Sequence, residues 1–263
     1  MSPSWCRRAR VVLGTLVEIG LPEDQAPHLS ALWAVLDTVQ SQMSAHEPDS
    51  DIARLNAAPV GQRVPLHPWS DTVLQLAQGW QRDCAAFDVA CGTGRWALQG
   101  GHAWRQDATT RIDLGGLAKG WAVDQVVAKA LALGIEAVWV NAGGDLRTHG
   151  VAVPLQLRDE GQGGTRPFGT LSEGAFATSD FRPAARSRLW VAPSAQGRAQ
   201  ANATATAAAA ATPPGRHVSV LADTCTAADA LTKVVAALGL GHPQTQGLLQ
   251  AHGAQAWVHD GAP

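Results

Sequence analysis

The sequence predicts an α/β fold, a single mixed α/β (α+β) domain of short strands and amphipathic helices spanning residues 1–263. Three observations carry this expectation. Strand-like and helix-like patterns alternate along nearly the whole chain. Two Gly-Gly pairs, Gly115-Gly116 and Gly143-Gly144, sit where strands end and the backbone must turn. Hydrophobic residues make up 46% and charged residues 16%, a balance that supports a core and excludes a disordered chain.

Taken in order, the elements follow from local patterns. A strand is expected over 11–19, broken at Gly14-Thr15. Leu29, Leu32, Trp33, Leu36 and Val39 fall on one stripe of a helix over 25–43. Asp49 or Ser50 caps a short helix carrying Ile52 and Leu55, with Asn56 as its stop. Val73, Leu76, Ala77 and Trp80 mark the apolar face of a helix over 69–85. The glycine-rich FDVACGTGRWALQGG, from Phe87, reads as a loop with a short helical piece. Residues 112–114 read as a strand end, after which Gly115-Gly116 turns into a helix over 117–133.

The apolar run 137–140 reads as a buried strand spilling into Asn141-Ala142-Gly143-Gly144-Asp145. Short strands are expected at 146–149, 153–158, 174–178 and 189–192. The Ala-rich stretch 196–215 has no large apolar anchor and ends in Pro-Pro-Gly, so it reads as an exposed, disordered insertion. A strand at 217–221, a helix at 226–238 and a last strand at 254–259 complete the pattern.

Bulk properties narrow the partners. A net charge of −2 leaves no broad basic surface for nucleic acid. Cys6, Cys84, Cys91 and Cys225 form no CxxC pair, which argues against a zinc site and a disulfide framework and for four small buried hydrophobes. Arg7, Arg8 and Arg10 lead directly into a strand with no apolar leader, and no run reaches the about 18 apolar residues of a membrane span. A cytoplasmic protein without a membrane span is the expectation. With ten Trp and no Tyr, any stacking platform is Trp, Phe or His.

Three stretches carry candidate chemistry. In IDLGGLAKGWAVD the helix N-terminus suits an anion or a phosphate, and Lys119 adds positive charge, compensated by such an anion or by Asp113. In NAGGD, Asn141 and Asp145 flank small residues at the carboxyl end of a buried strand, where open α/β sheets bind ligands. In TAADALTKV, Asp229 and Lys233 lie four apart on one helix side with Thr232 adjacent. As a solvated pair they contribute only about 0.2–0.5 kcal/mol.

Together and in order these stretches resemble the ApbE family, the FAD:protein FMN transferases. The resemblance rests on LGTLVEI at 13–19, MSAHEPDSDIARLN at 43–56, AFDVACG at 86–92 and IDLGGLAKGWAVD at 112–124. It continues through VNAGGDLRTHG at 140–150, GAFATS at 174–179 and VSVLADTCTAADAL at 218–231. It implies an enzyme that cleaves the pyrophosphate of FAD, attaches FMN by a phosphoester to a Thr or Ser of an acceptor flavoprotein, and releases AMP with the help of magnesium. By position it implies cofactor contacts at Leu13, Gly14, Thr15, His46, Asp113, Gly115, Gly116, Lys119, Asn141, Gly143, Gly144 and Asp145. It also implies a metal on Asp229 and the Gly116 carbonyl.

The chain departs from the family pattern at four places. Leu13 stands for the usual Met, and His46 for the flavin-side tyrosine. SRLWVAPSAQGR at 187–198 lacks the usual histidine, although His217 lies nearby in sequence. Lys233 replaces the metal-binding threonine. Two expectations follow at that helix: the Lys233 ammonium, paired with Asp229 as the catalytic couple, takes the place of the magnesium charge, or Thr232 serves as metal ligand. At the level of function, the alternative to a transferase is an FAD-binding relative without transfer, such as a flavin carrier, a slow FAD hydrolase or a redox module.

Overall fold

Trp5–Val12 (β1) and Thr15–Pro22 (β2) form an antiparallel hairpin, not one broken strand. Leu13 and Gly14 both have positive φ, 56° and 71°, which is what a two-residue hairpin turn of matching twist requires. The computed structural model describes residues 4–158, 164–181 and 216–260. Glu23–His28 is a 3-10 segment, and the α-helix α1 runs only over Leu29–Met43. Pro27 is the reason: its ring clashes with the carbonyl four residues back and it has no N–H to donate.

Helix α2 (Asp51–Ala57) is capped by Ser50, whose Oγ accepts from Ala53 N–H at 3.0 Å. Helix α3 (Pro68–Asp83) buries Val73, Leu74, Ala77 and Trp80, while Leu76 is exposed, contrary to its expected place on the apolar face. The stretch from Phe87 contains a hairpin where a helical piece was expected. Trp96–Gln99 (β4) and His102–Arg105 (β5) pair antiparallel around Gly100-Gly101, both at positive φ, with Val64–Pro65 (β3) on the other side of β5.

The main sheet comprises β1, β2 and five further strands: Val138–Ala142 (β6), Asp145–His149 (β7), Gly174–Asp180 (β10), Arg216–Ala222 (β11) and Gln255–Asp260 (β12). Val153–Arg158 (β8) and Thr165–Leu171 (β9), the second of which was not anticipated, form a separate ribbon. The strand order is β1-β2-β6-β7-β10-β11-β12, and every neighbouring pair is antiparallel. One face is packed by α1, α4 (Ala118–Ala132) and α5 (Cys225–Leu238) in a core that includes Ile19, Leu36, Val140, Ala177, Val220 and Leu231. A second cluster, Leu146, Leu155, Leu157, Leu171 and Phe176, lies between the other face and the β8–β9 ribbon. Helix α6 (Pro243–Ala251) precedes β12 and was also not anticipated.

Residues 112–114 do not form a strand, because their peptide groups are taken by the Asn56 side chain and the Val89 carbonyl. Cys6, Cys84 and Cys225 are buried as expected, whereas Cys91 is half-buried in a tight turn at φ 48°. Among the described residues no helix is long and apolar enough to cross a membrane. The expected strand at 189–192 and the Ala-rich stretch 196–215 lie outside the described residues.

Candidate functional site

The Gly115-Gly116 loop is fixed from two sides. Asn56, the last polar residue of α2, donates from Nδ2 to the Ile112 carbonyl at 2.8 Å and accepts from Ile112 N–H at 2.7 Å. Asp113 N–H donates to the Val89 carbonyl at 2.8 Å, and Asp113 Oδ1 accepts from Gly115 N–H at 2.8 Å. The Asp113 carboxylate thus closes its own turn and does not compensate Lys119. Asn56→Ala is expected to lower stability by about 1–3 kcal/mol, because the buried Ile112 peptide loses both partners. A urea titration checks this.

From this loop α4 carries Lys119 inward. Its ammonium pairs with Asp145 and lies 4.0 Å from Asp229 Oδ2. Asp145 opens β7 directly after the Gly143-Gly144 turn, and its carboxylate is fully buried. Apart from this ion pair, neither of its oxygens accepts a hydrogen bond among the described residues. Gly143 has φ 60° and leaves no room for a side chain: a Cβ there would stand 2.2 Å from Thr15 Oγ1. The β1–β2 turn, carrying Leu13, Gly14 and Thr15, is thereby held beside the β6–β7 turn. Asn141 Oδ1 accepts from Gly144 N–H at 3.1 Å, and the Gly144 carbonyl accepts from Thr178 N–H at 3.0 Å.

The third part comes from α5. Asp229 is fully buried; it pairs with the Lys233 ammonium and accepts from Gly120 N–H at 3.3 Å. Lys233 Nζ also donates to Ser179 Oγ at 3.2 Å, and Ser179 Oγ lies 2.9 Å from Thr232 Oγ1. Thr232 Oγ1 donates back to the Asp229 carbonyl at 2.7 Å. The couple is therefore internal and not a solvated surface pair, because α5 is packed on nearly all sides. Burial works against the Asp229 carboxylate, but the Lys119 and Lys233 ammonium groups and the Gly120 N–H outweigh it and hold its pKa below the ordinary range. Burial lowers the Lys119 pKa, with Asp229 opposing that shift.

Asp124 locks the helices that bring these groups together. Its carboxylate accepts from Cys225 N–H and Thr226 N–H, each at 2.8 Å, and from Arg147 Nη1 at 2.6 Å. A carboxylate of α4 thus caps the N-terminus of α5 and ties both to β7. Asp124, Arg147 and Ser179 were given no role on the sequence, although all three lie in the stretches quoted above. Strand alternation supplies a signal for one of them: Asp145 and Arg147 are two apart and must share a face.

The structure brings Lys119, Asp145, Asp229, Lys233 and Thr232 into one cluster, with Gly116, Gly143 and Thr15 at close quarters. His46 is exposed, its N–H donates to Ser44 Oγ at 3.2 Å, and no side-chain hydrogen bond or ion pair ties it to this cluster among the described residues. His217, next to His259 with ring centroids 5.2 Å apart, lies on the sheet face away from α5, because its neighbour Val218 faces the helices. The Asn141–Asp145 stretch does follow the carboxyl end of β6, but β6 runs antiparallel to both neighbours, so the candidate site gathers at hairpin turns and not in the crevice of a parallel sheet.

Magnesium, which the resemblance implies, does not fit the donors present. One Asp229 oxygen is held by Lys233, the other faces Gly120 N–H and Lys119, and the Thr232 hydroxyl is engaged twice. A dication there would sit beside two ammonium groups. Among the described residues no group of three or more His, Cys, Asp or Glu side chains is placed to hold a metal ion.

The ApbE family model matches residues 13–103 and 94–257. Solved structures with the same fold include the flavin transferase ApbE from Vibrio cholerae, at 17% identity and a TM-score of 0.72, covering 97% of this chain and 93% of that one. The apo flavinyl transferase ApbE from Pseudomonas stutzeri, at 19% identity and a TM-score of 0.71, covers 97% and 90%. The ApbE protein from Thermotoga maritima, at 18% and 0.72, covers 97% and 94%. No curated protein sequence matches the chain significantly. The motifs, their convergence in space and the near full-length family match lead to one assignment: the chain belongs to the ApbE family.

Proposed function

We propose that the chain is an FAD:protein FMN transferase. The observation that carries this reading is a pair of partly exposed lysine side chains, Lys119 and Lys233, paired with fully buried carboxylates beside the Gly143 turn, which has no room for a side chain. Phosphoryl transfer makes little demand on covalent catalysis; it needs neutralisation of the diphosphate charge and in-line placement of the attacking oxygen. The Lys119 and Lys233 ammonium groups serve the first locally, by direct N–H contacts to phosphate oxygens, because Asp145 and Asp229 balance their net charge. The Gly115-Gly116 and Gly143-Gly144 turns let the dinucleotide lie against the backbone itself. The Thr or Ser oxygen of an acceptor flavoprotein attacks the phosphorus of the FMN half, the bond to the AMP half breaks, AMP leaves, and the hydroxyl proton is released.

The names of the solved relatives, flavin transferases, support the same reading. Incubating the purified chain with FAD and a Thr-containing acceptor domain tests it by mass spectrometry. The expected outcome is an acceptor mass gain of one FMN with AMP released in equal amount. Bound FAD that stays intact with an unmodified acceptor would instead favour a flavin-binding relative without transfer.

A further inference from the structure

We propose that Lys233 is a built-in cation: its ammonium, held between Asp229 and Ser179 under the Gly116 loop, replaces a divalent ion in binding the flavin diphosphate. This rests on the FAD reading above and goes beyond it, because it assigns the source of the positive charge.

Four features support it. The Lys233 side chain runs directly beneath the Gly-Gly loop: a Cβ on Gly116 would stand 3.1 Å from Lys233 Cε and 3.6 Å from Cδ. Its ammonium has three N–H groups, of which Asp229 and Ser179 take two. The side chain is 14% exposed, and the third N–H is the one assigned to an anion arriving at the loop. Lys119, Asp145, Asp229 and Lys233 together sum to zero charge, so the carboxylates are already neutralised without a metal. A dication at Asp229 would have to displace the ammonium that already holds Oδ1, and before flavin binds it would put two uncompensated positive charges in a mostly buried cluster.

The same arrangement accounts for a lysine four residues after the aspartate. At that spacing on α5 its side chain returns over Asp229 and reaches the strand residue Ser179. A shorter side chain there would leave Asp229 Oδ1 without its ammonium partner.

Two measurements on the full chain decide the point. The first is Mn2+ binding without flavin, followed by electron paramagnetic resonance, for the wild type and Lys233→Ala. The second is FAD affinity in EDTA and in excess Mg2+ for the same two proteins, with circular dichroism as the check on folding. The wild type is expected to bind no stoichiometric Mn2+, and its FAD affinity to change less than threefold between EDTA and Mg2+. Lys233→Ala is expected to lose at least tenfold in FAD affinity in EDTA, to recover most of it with Mg2+, and to bind Mn2+.

Tight stoichiometric Mn2+ in the wild type, or wild-type FAD binding that collapses in EDTA, overturns the proposal even if the variant does not fold. So does a folded variant with unchanged FAD affinity in EDTA. A wild type that binds no FAD under either condition removes the transferase reading itself and this inference with it, an outcome distinct from metal-dependent binding.

Discussion

Asp229→Asn is expected to lower the unfolding free energy by about 3–5 kcal/mol, the range for removing one partner of a buried ion pair. The carboxylate is fully buried between the Lys233 and Lys119 ammonium groups, so its neutral replacement leaves Lys233 without a carboxylate partner and Lys119 with Asp145 alone. Adding Lys233→Met in the same chain is expected to restore part of the loss, because it removes the stranded cation and keeps the volume. A double-mutant cycle by urea denaturation reads the coupling. Simple additivity of the two single losses would show that the pair does not act as a unit.

The sign of the pH dependence follows from the depressed Asp229 pKa. Its contribution to stability is complete above the unfolded carboxylate value of about 3.9 and fades as pH falls through the lower folded value. The wild type's advantage over Asp229→Asn is therefore expected to be constant near neutrality and to shrink in acid below about pH 3.9.

Gly120→Ala is the second large expected effect. A Cβ at this position would stand 2.4 Å from the Cys225 carbonyl oxygen and 2.9 Å from Asp229 Cβ. The first of these is backbone at the start of α5, already fixed by Asp124, so it cannot move aside like the end of a flexible side chain. Forcing the helices apart costs about 1–3 kcal/mol by the usual measure of overpacking. It also lengthens the 4.0 Å approach of Lys119 to Asp229, so FAD affinity is expected to fall together with the urea midpoint. Gly79→Ala serves as the control: the nearest atom to its Cβ is Arg82 Nη2 at 3.9 Å, so helix propensity dominates and stability is expected to rise by about 0.5–1 kcal/mol. Equal losses in both variants would contradict the close-packing account.

Most of the helices were legible because their signals are local. The apolar stripe of α1, the Ser50 cap of α2 and the run after Gly115-Gly116 each predict a helix without reference to the rest of the chain. Hairpins were less legible. Gly14-Thr15 reads as a break in one strand and Gly100-Gly101 as part of a loop, because whether a two-residue turn returns a strand on itself depends on what pairs across it. Residues 112–114 read as strand because their apolar pattern fits one, yet Asn56, distant in sequence, holds their peptide groups.

By itself the sequence determined the family's ordered motifs, the glycine turns and the side chains that carry charge: Lys119, Asp145, Asp229 and Lys233. Only the tertiary structure decided which of these meet. Lys119 finds Asp145 rather than Asp113, because the antiparallel return of β7 after Gly143-Gly144 places that carboxylate beside the first turn of α4. The Asp229–Lys233 couple is internal rather than solvated because Gly120 lets α5 press against α4. Ser179 joins it because β10 pairs between β7 and β11, under the same helix. Spacing along one helix or strand is fixed by local geometry, whereas partners on different elements are chosen by sheet order and close packing, which no short stretch encodes.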